Sequence, residues 1–187
     1  MEQPTTVLVG FDVEHEGKGA EAFSIGFVVI EKSATEDPVV MYRATLTNRD
    51  ICKIHMQKTV KDDDDFWSWP ENKTTLHRLF LEATCDNTDF AKKVREVVEK
   101  IHTNFPDAFW VSDTGGSDFY STSLLLNSAG FDPIHFNADH QYRGFKFYTD
   151  NSIPHVPEEE GAHDPGMDAL WIAKKFNTDL LPKKRRS

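Results

Sequence analysis

The chain has no run of about 18 or more apolar residues, so its sequence offers no membrane-spanning helix. Met1 to Thr6 is polar and carries no signal-peptide pattern. The expectation is a soluble protein made without export, cytoplasmic or otherwise intracellular. Cysteine is scarce. Cys52 and Cys85 form no CxxC spacing, which argues for reduced structural thiols and against a zinc site. No internal repeat and no long linker divides the 187 residues. Residues 1–182 therefore read as one domain, followed by a basic tail at 183–187. Positive charge is also short. With 21 Lys and Arg against 31 Asp and Glu, the net charge is −10. The run Lys183-Lys184-Arg185-Arg186 holds four positive charges, which leaves −14 on residues 1–182. Such a body does not attract a polyanion diffusely. A polyanionic substrate would need bound metal or local basic groups to offset the repulsion.

What is present is enough for a core: 39% of residues are hydrophobic. The first organised stretch is Val7-Leu8-Val9-Gly10-Phe11-Asp12-Val13-Glu14. It reads as a buried strand that ends in two acids. Side chains alternate along a strand, so Asp12 and Glu14 leave from one face, roughly 7 Å apart at the backbone. Phe11 and Val13 face the other way, into packing. A carboxylate pair at the end of an apolar strand is costly unless its charge is compensated, and a divalent cation is the natural candidate.

Further along, Ala22 to Glu31 and Val39 to Leu46 read as second and third strands. The short turns between them imply an antiparallel meander. Asn48 to Lys61 should loop into a short helix. After Asp62-Asp63-Asp64-Asp65, a helix should run through Leu76, Leu79 and Phe80. Phe90, Val94, Val97, Val98, Ile101 and Phe105 recur at helical spacing. Asp86 or Thr88 is placed to cap that helix and Pro106 to end it. Phe109 to Ser112 reads as a fourth strand, Asp118 to Ala129 as a helix closed by Gly130, and Pro133 to Asn137 as a candidate fifth strand. A last helix opens at Pro165 with Asp164 as its cap. The expected fold is α/β: a mixed five-stranded sheet, three antiparallel strands first and parallel strands after, with helices on both faces.

Acids fall at three places with one logic. Asp12 and Glu14 end the first strand, Asp118 opens a helix after the fourth, and Asp168 lies in the first turn of the last helix. Oxygen-rich sites of this kind suit Mg2+ or Mn2+. Two such ions could activate a water and stabilise the leaving oxygen of a phosphodiester. His163, five residues before Asp168, is placed to take the proton from that water.

The motifs bear a family resemblance. Phe11-Asp12-Val13-Glu14 resembles the first motif of the DEDD exonucleases, a branch of the RNase H-like superfamily. Ser112-Asp113-Thr114-Gly115-Gly116-Ser117-Asp118-Phe119 resembles the second motif, whose acid precedes a Phe. His163-Asp164-Pro165-Gly166-Met167-Asp168-Ala169 resembles the third motif of the histidine subclass. The ordered set spans nearly the whole chain. It is also similar, more loosely, to the small exonucleases of the phage exonuclease A type and their bacterial exoribonuclease relatives. The resemblance implies an RNase H-like fold and two divalent ions, Mg2+ or Mn2+, on Asp12, Glu14, Asp118 and Asp168. It implies His163 as general base and 3′-to-5′ hydrolysis releasing nucleoside monophosphates. The partner would be a nucleic acid with a free 3′ end, single-stranded or overhanging, with RNA slightly ahead of DNA. The second motif departs from the common form at Ser112 and Asp113. Asp113 therefore rivals Asp118, which is preferred because Phe119 follows it.

Blander readings compete. A solvated strand end would explain Asp12 and Glu14, and the helix dipole would explain Asp118 or Asp168 alone. Only the joint pattern favours metal. Asp62 to Asp65 reads as a solvated turn, and Phe66, Trp67 and Trp69 read as core before base-stacking platforms. Lys92, Lys93, Arg95 and Lys100 read as a solvated helix face. The tail reads as frayed chain before a nuclear import signal or nucleic-acid arm. Two other functions fit less well. An aspartyl-phosphate phosphatase would want Asp where Glu14 stands. A non-catalytic nucleic-acid-binding protein on a nuclease fold would not need all five site residues.

Overall fold

A computed structural model describes residues 7–15, 22–32, 37–58, 67, 70–112, 116–131, 143–144 and 163–179. Strand β1 (Val7–His15) lies inside the sheet. It pairs antiparallel with β2 (Ala22–Glu31), and β2 pairs antiparallel with β3 (Val40–Thr47). On its other side β1 pairs parallel with β4 (Phe109–Ser112). The α/β, mixed character expected from the sequence is present, but the sheet has four full strands rather than five. The only further strand among the described residues is β5 (Arg143–Gly144), two residues paired parallel to β4, giving the order β3-β2-β1-β4-β5. The segment Pro133 to Asn137, expected as a strand, lies outside the described residues.

Five helices complete the fold: α1 (Arg49–Gln57), α2 (Pro70–Glu82), α3 (Phe90–Asn104), α4 (Gly116–Ser128) and α5 (Pro165–Asp179). Alternation on β1 sorts them. Val9, Phe11 and Val13 point to one face, where they meet Phe90, Val94, Val98 and Ile101 of α3 and Phe119, Leu125 and Leu126 of α4. Phe11 is the hub: its ring lies 5.3 Å from Phe27 and 4.9 Å from Phe119. Leu8 points to the opposite face and packs with Val28, Ile30 and Val111 against Ala169, Ile172, Ala173 and Phe176 of α5. A third, smaller core joins Phe23 to Cys52, Trp67, Leu76 and Leu79, anchoring α1 and α2. Asn48 caps α1, its Oδ1 accepting from the N–H groups of Asp50 and Ile51.

One capping expectation changes. The residue before α3 is Asp89, which makes no side-chain cap bond. Asp86 instead closes the preceding turn, accepting from the N–H groups of Thr88 and Asp89. Gly130 does close α4, at φ 77°, its N–H donating to the carbonyl of Asn127. Both cysteines are buried and free, and burial pushes the Cys52 thiol up to about 12. The solvated α3 face is laced by the i,i+4 pairs Lys92–Glu96, Lys93–Asp89 and Arg95–Glu99. Among the described residues no helix is long and apolar enough to cross a membrane.

Candidate metal centre

The site lies at the C-terminal end of β1, on the face covered by α5. Asp12 and Glu14 share that face with Gly10, and each residue of this row has a partner on β2: Gly10 opposite Val28, Asp12 opposite Gly26, Glu14 opposite Ser24. The N-terminus of α5 comes down directly on two glycines of this surface. A methyl group at Gly26 would lie 2.6 Å from the Gly166 nitrogen and closer still to the Pro165 carbonyl. One at Gly10 would lie 2.8 Å from the Ala173 Cβ and closer to the Ala169 carbonyl. No side chain fits between helix and sheet at either place. The absence of a Cβ therefore sets the depth of α5, and with it the position of Asp168. Sequence patterning did not single out Gly10 or Gly26, although glycine within an apolar strand can signal such a close approach.

With α5 seated this way, Asp12, Glu14 and Asp168 converge. Each offers a carboxylate oxygen within 4.8 Å of the others. Asp12 is 9% exposed and the Glu14 side chain 13%. Three ionised carboxylates this close repel one another, a repulsion that protonation or a cation among them relieves. The donor set, all hard oxygen, fits a divalent metal ion.

Asp164 caps α5 as expected. Its Oδ1 accepts from the N–H groups of Gly166 and Met167, each at 3.0 Å. Its Oδ2 lies 3.1 Å from Nη2 of Arg78 in α2. His163, just before the cap, has φ 64°, the only positive φ outside glycine among the described residues. Its backbone N–H donates to Asp168 Oδ2 at 2.9 Å, and its Nδ1 lies 3.9 Å from Glu14 Oε1. The imidazole thus faces the acid group, with 43% of its side chain exposed to solvent.

Asp118 lies outside the group of three. It is buried, at 2% exposure, in the first turn of α4. That turn is held against the end of β1 on both sides of Asp118: Ser117 Oγ lies 3.5 Å from His15 Nε2, and the Phe119 ring packs on Phe11. Asp118 therefore stands at the same end of the sheet as the other three acids. Its rival Asp113 lies outside the described residues, as do Asp62 to Asp65, Phe66, Trp69 and the basic tail. Trp67 is described, and the core reading holds for it. It is 1% exposed, donates Nε1–H to the His15 carbonyl at 3.3 Å, and packs edge-on against Phe23.

The sequence matches no protein-family model and no curated protein.

Proposed function

We propose that the protein is a metal-dependent 3′-to-5′ exonuclease of RNase H-like architecture, hydrolysing phosphodiesters from the 3′ end of a nucleic acid and releasing nucleoside monophosphates. One observation carries this: Asp12, Glu14 and Asp168 meet within 4.8 Å while His163 faces them across Glu14 at 3.9 Å. The carboxylates would hold Mg2+ or Mn2+, and Asp118 would be the fourth ligand, delivered by the first turn of α4. Bound there, the metal supplies a nucleophilic water near neutral pH and charge stabilisation at the leaving oxygen.

The chain's own residues do the rest. Asp12 is the most buried acid of the three and pairs with Gly26 of β2, so it is the ligand most shielded from solvent. Glu14, nearer the strand end, reaches both the ion site and the imidazole. His163 accepts the proton of the attacking water, and its partial exposure leaves room for that water and for a terminal nucleotide. Asp168 links the two jobs, being a ligand on one side and the acceptor of the His163 N–H on the other.

The test is hydrolysis of matched RNA and DNA oligonucleotides with a labelled 5′ end and either metal, beside a chromogenic phosphomonoester. Asp12→Asn and Asp168→Asn should each lower oligonucleotide hydrolysis by at least about 100-fold with the fold intact by circular dichroism. Full activity in either variant, or turnover of the phosphomonoester alone, would rule the reading out.

A further inference from the structure

Two side chains from the α1–α2 unit reach across to the turn that carries His163. That unit has a core of its own, in which Trp67, Leu76 and Leu79 close over Phe23 and Cys52. From its edge the Trp67 indole meets the His163 imidazole edge-on, centroids 6.2 Å apart and planes at 81°. The same indole is tied by its N–H to the carbonyl of His15, next in chain to Glu14. From α2, Arg78 grips Asp164, the neighbour of His163, on the carboxylate oxygen that the helix cap leaves over.

The turn needs such support. A histidine at φ 64° adopts a left-handed backbone conformation that L residues rarely take and that persists where its surroundings hold it. Relaxing φ would swing the His163 N–H away from Asp168 and carry the imidazole away from Glu14. We infer that Trp67 and Arg78 are positioning residues for His163, holding the His163-Asp164 turn at two points, the ring and the neighbouring carboxylate, so that the imidazole stays aimed at the carboxylates. For Trp67 this replaces base stacking, since at 1% exposure its ring faces are taken. The catalytic consequence rests on the exonuclease reading; the effect on the turn does not.

The experiment uses the full chain and two readouts. The first, without metal or substrate, is amide hydrogen exchange at His163 N–H, compared with the core amides of Val94 and Val98. The second is kcat and KM on a labelled oligonucleotide with Mn2+. Arg78 is partly exposed, so Arg78→Ala should leave the core amides unchanged. Protection at His163 should fall at least about tenfold, and kcat about tenfold with KM within about twofold. Arg78→Lys, which keeps the charge, should recover part of both. Trp67→Phe keeps a ring against His163 but loses the bond to His15, and should fall between wild type and Arg78→Ala. Arg95→Ala, which removes an arginine paired with Glu99 on α3, should match wild type. Wild-type protection at His163 in Arg78→Ala overturns the inference, and so does a kcat loss matched by an equal rise in KM. If the wild-type protein cleaves no oligonucleotide, the exonuclease reading fails while the exchange comparison still decides the role of Arg78.

Discussion

Replacing His163 with alanine should separate proton transfer from metal binding. The imidazole faces Glu14 but adds no ligand to the three carboxylates, so kcat should fall by about 100-fold or more. The apparent Kd for Mn2+, from a thermal-shift titration, should change by less than about threefold; an equal loss in both would make the histidine structural. The cysteines should behave in the opposite way, as inert groups. Burial raises both thiols, Cys52 to about 12. Iodoacetamide at pH 8 should label neither in the folded protein and both after denaturation, read by mass spectrometry. At this scale much was legible beforehand. The two-residue spacing on a strand puts Asp12 and Glu14 on one face whatever the tertiary structure. The Asp164-Pro165 pair marks a helix start through cap and φ preferences that are local. The left-handed turn at His163 was not legible, because nothing in its neighbours demands it; Asp168, Glu14, Trp67 and Arg78 hold it from a distance.

Among the elements, α5 decides whether a site exists. It crosses β1 and β2 at Gly10 and Gly26, where a Cβ would meet its backbone. Gly26→Ala must push the start of α5 outward or distort β2. Overpacking of this kind costs about 1–3 kcal/mol, measurable as a lower urea midpoint. Because Asp168 rides on the same helix, activity should fall further than stability alone explains. A variant that stays fully active at a temperature well below its melting point would show that α5 can shift without moving Asp168. The strands themselves were read closely from sequence: β2 spans the expected Ala22–Glu31, and β1 gains only His15. Their apolar runs and short turns are enough, since such strands are buried on both faces and leave few alternatives. On the sheet's far side β4 covers the expected Phe109–Ser112, and the short β5 at Arg143–Gly144 has no strand signal in the sequence. The β4–β5 ladder covers two residues, and pairing with a parallel neighbour leaves no turn signature in the chain.

For the whole molecule, the burial of His102 predicts a fold that weakens in mild acid. His102 packs against Trp110 at 5.2 Å between ring centroids, and burial lowers its pKa from the ordinary 6.5. Above 6.5 both folded and unfolded chains keep this ring neutral. Below it the unfolded chain takes a proton that the folded one resists, so the contribution is lost as pH falls from 6.5 through the folded value. The urea midpoint should therefore drop between pH 7.5 and 5.5, and His102→Gln should flatten part of that slope. An unchanged slope in the variant would assign the loss to other groups.

The sequence by itself determined the strand and helix order, the facing of Asp12 with Glu14, and the offset of His163 from Asp168. These follow from rules that act within a few residues: alternation, helical period, and capping. Only the tertiary structure decided that Asp168 lands beside the β1 acids, that Asp118 stands outside that group of three, and that Trp67 and Arg78 converge on the His163 turn. The first and last of those outcomes depend on how deeply α5 seats on the sheet, while Asp118 is placed by α4. That depth is set by missing methyl groups on two different strands, which become neighbours of α5 only once the chain has folded.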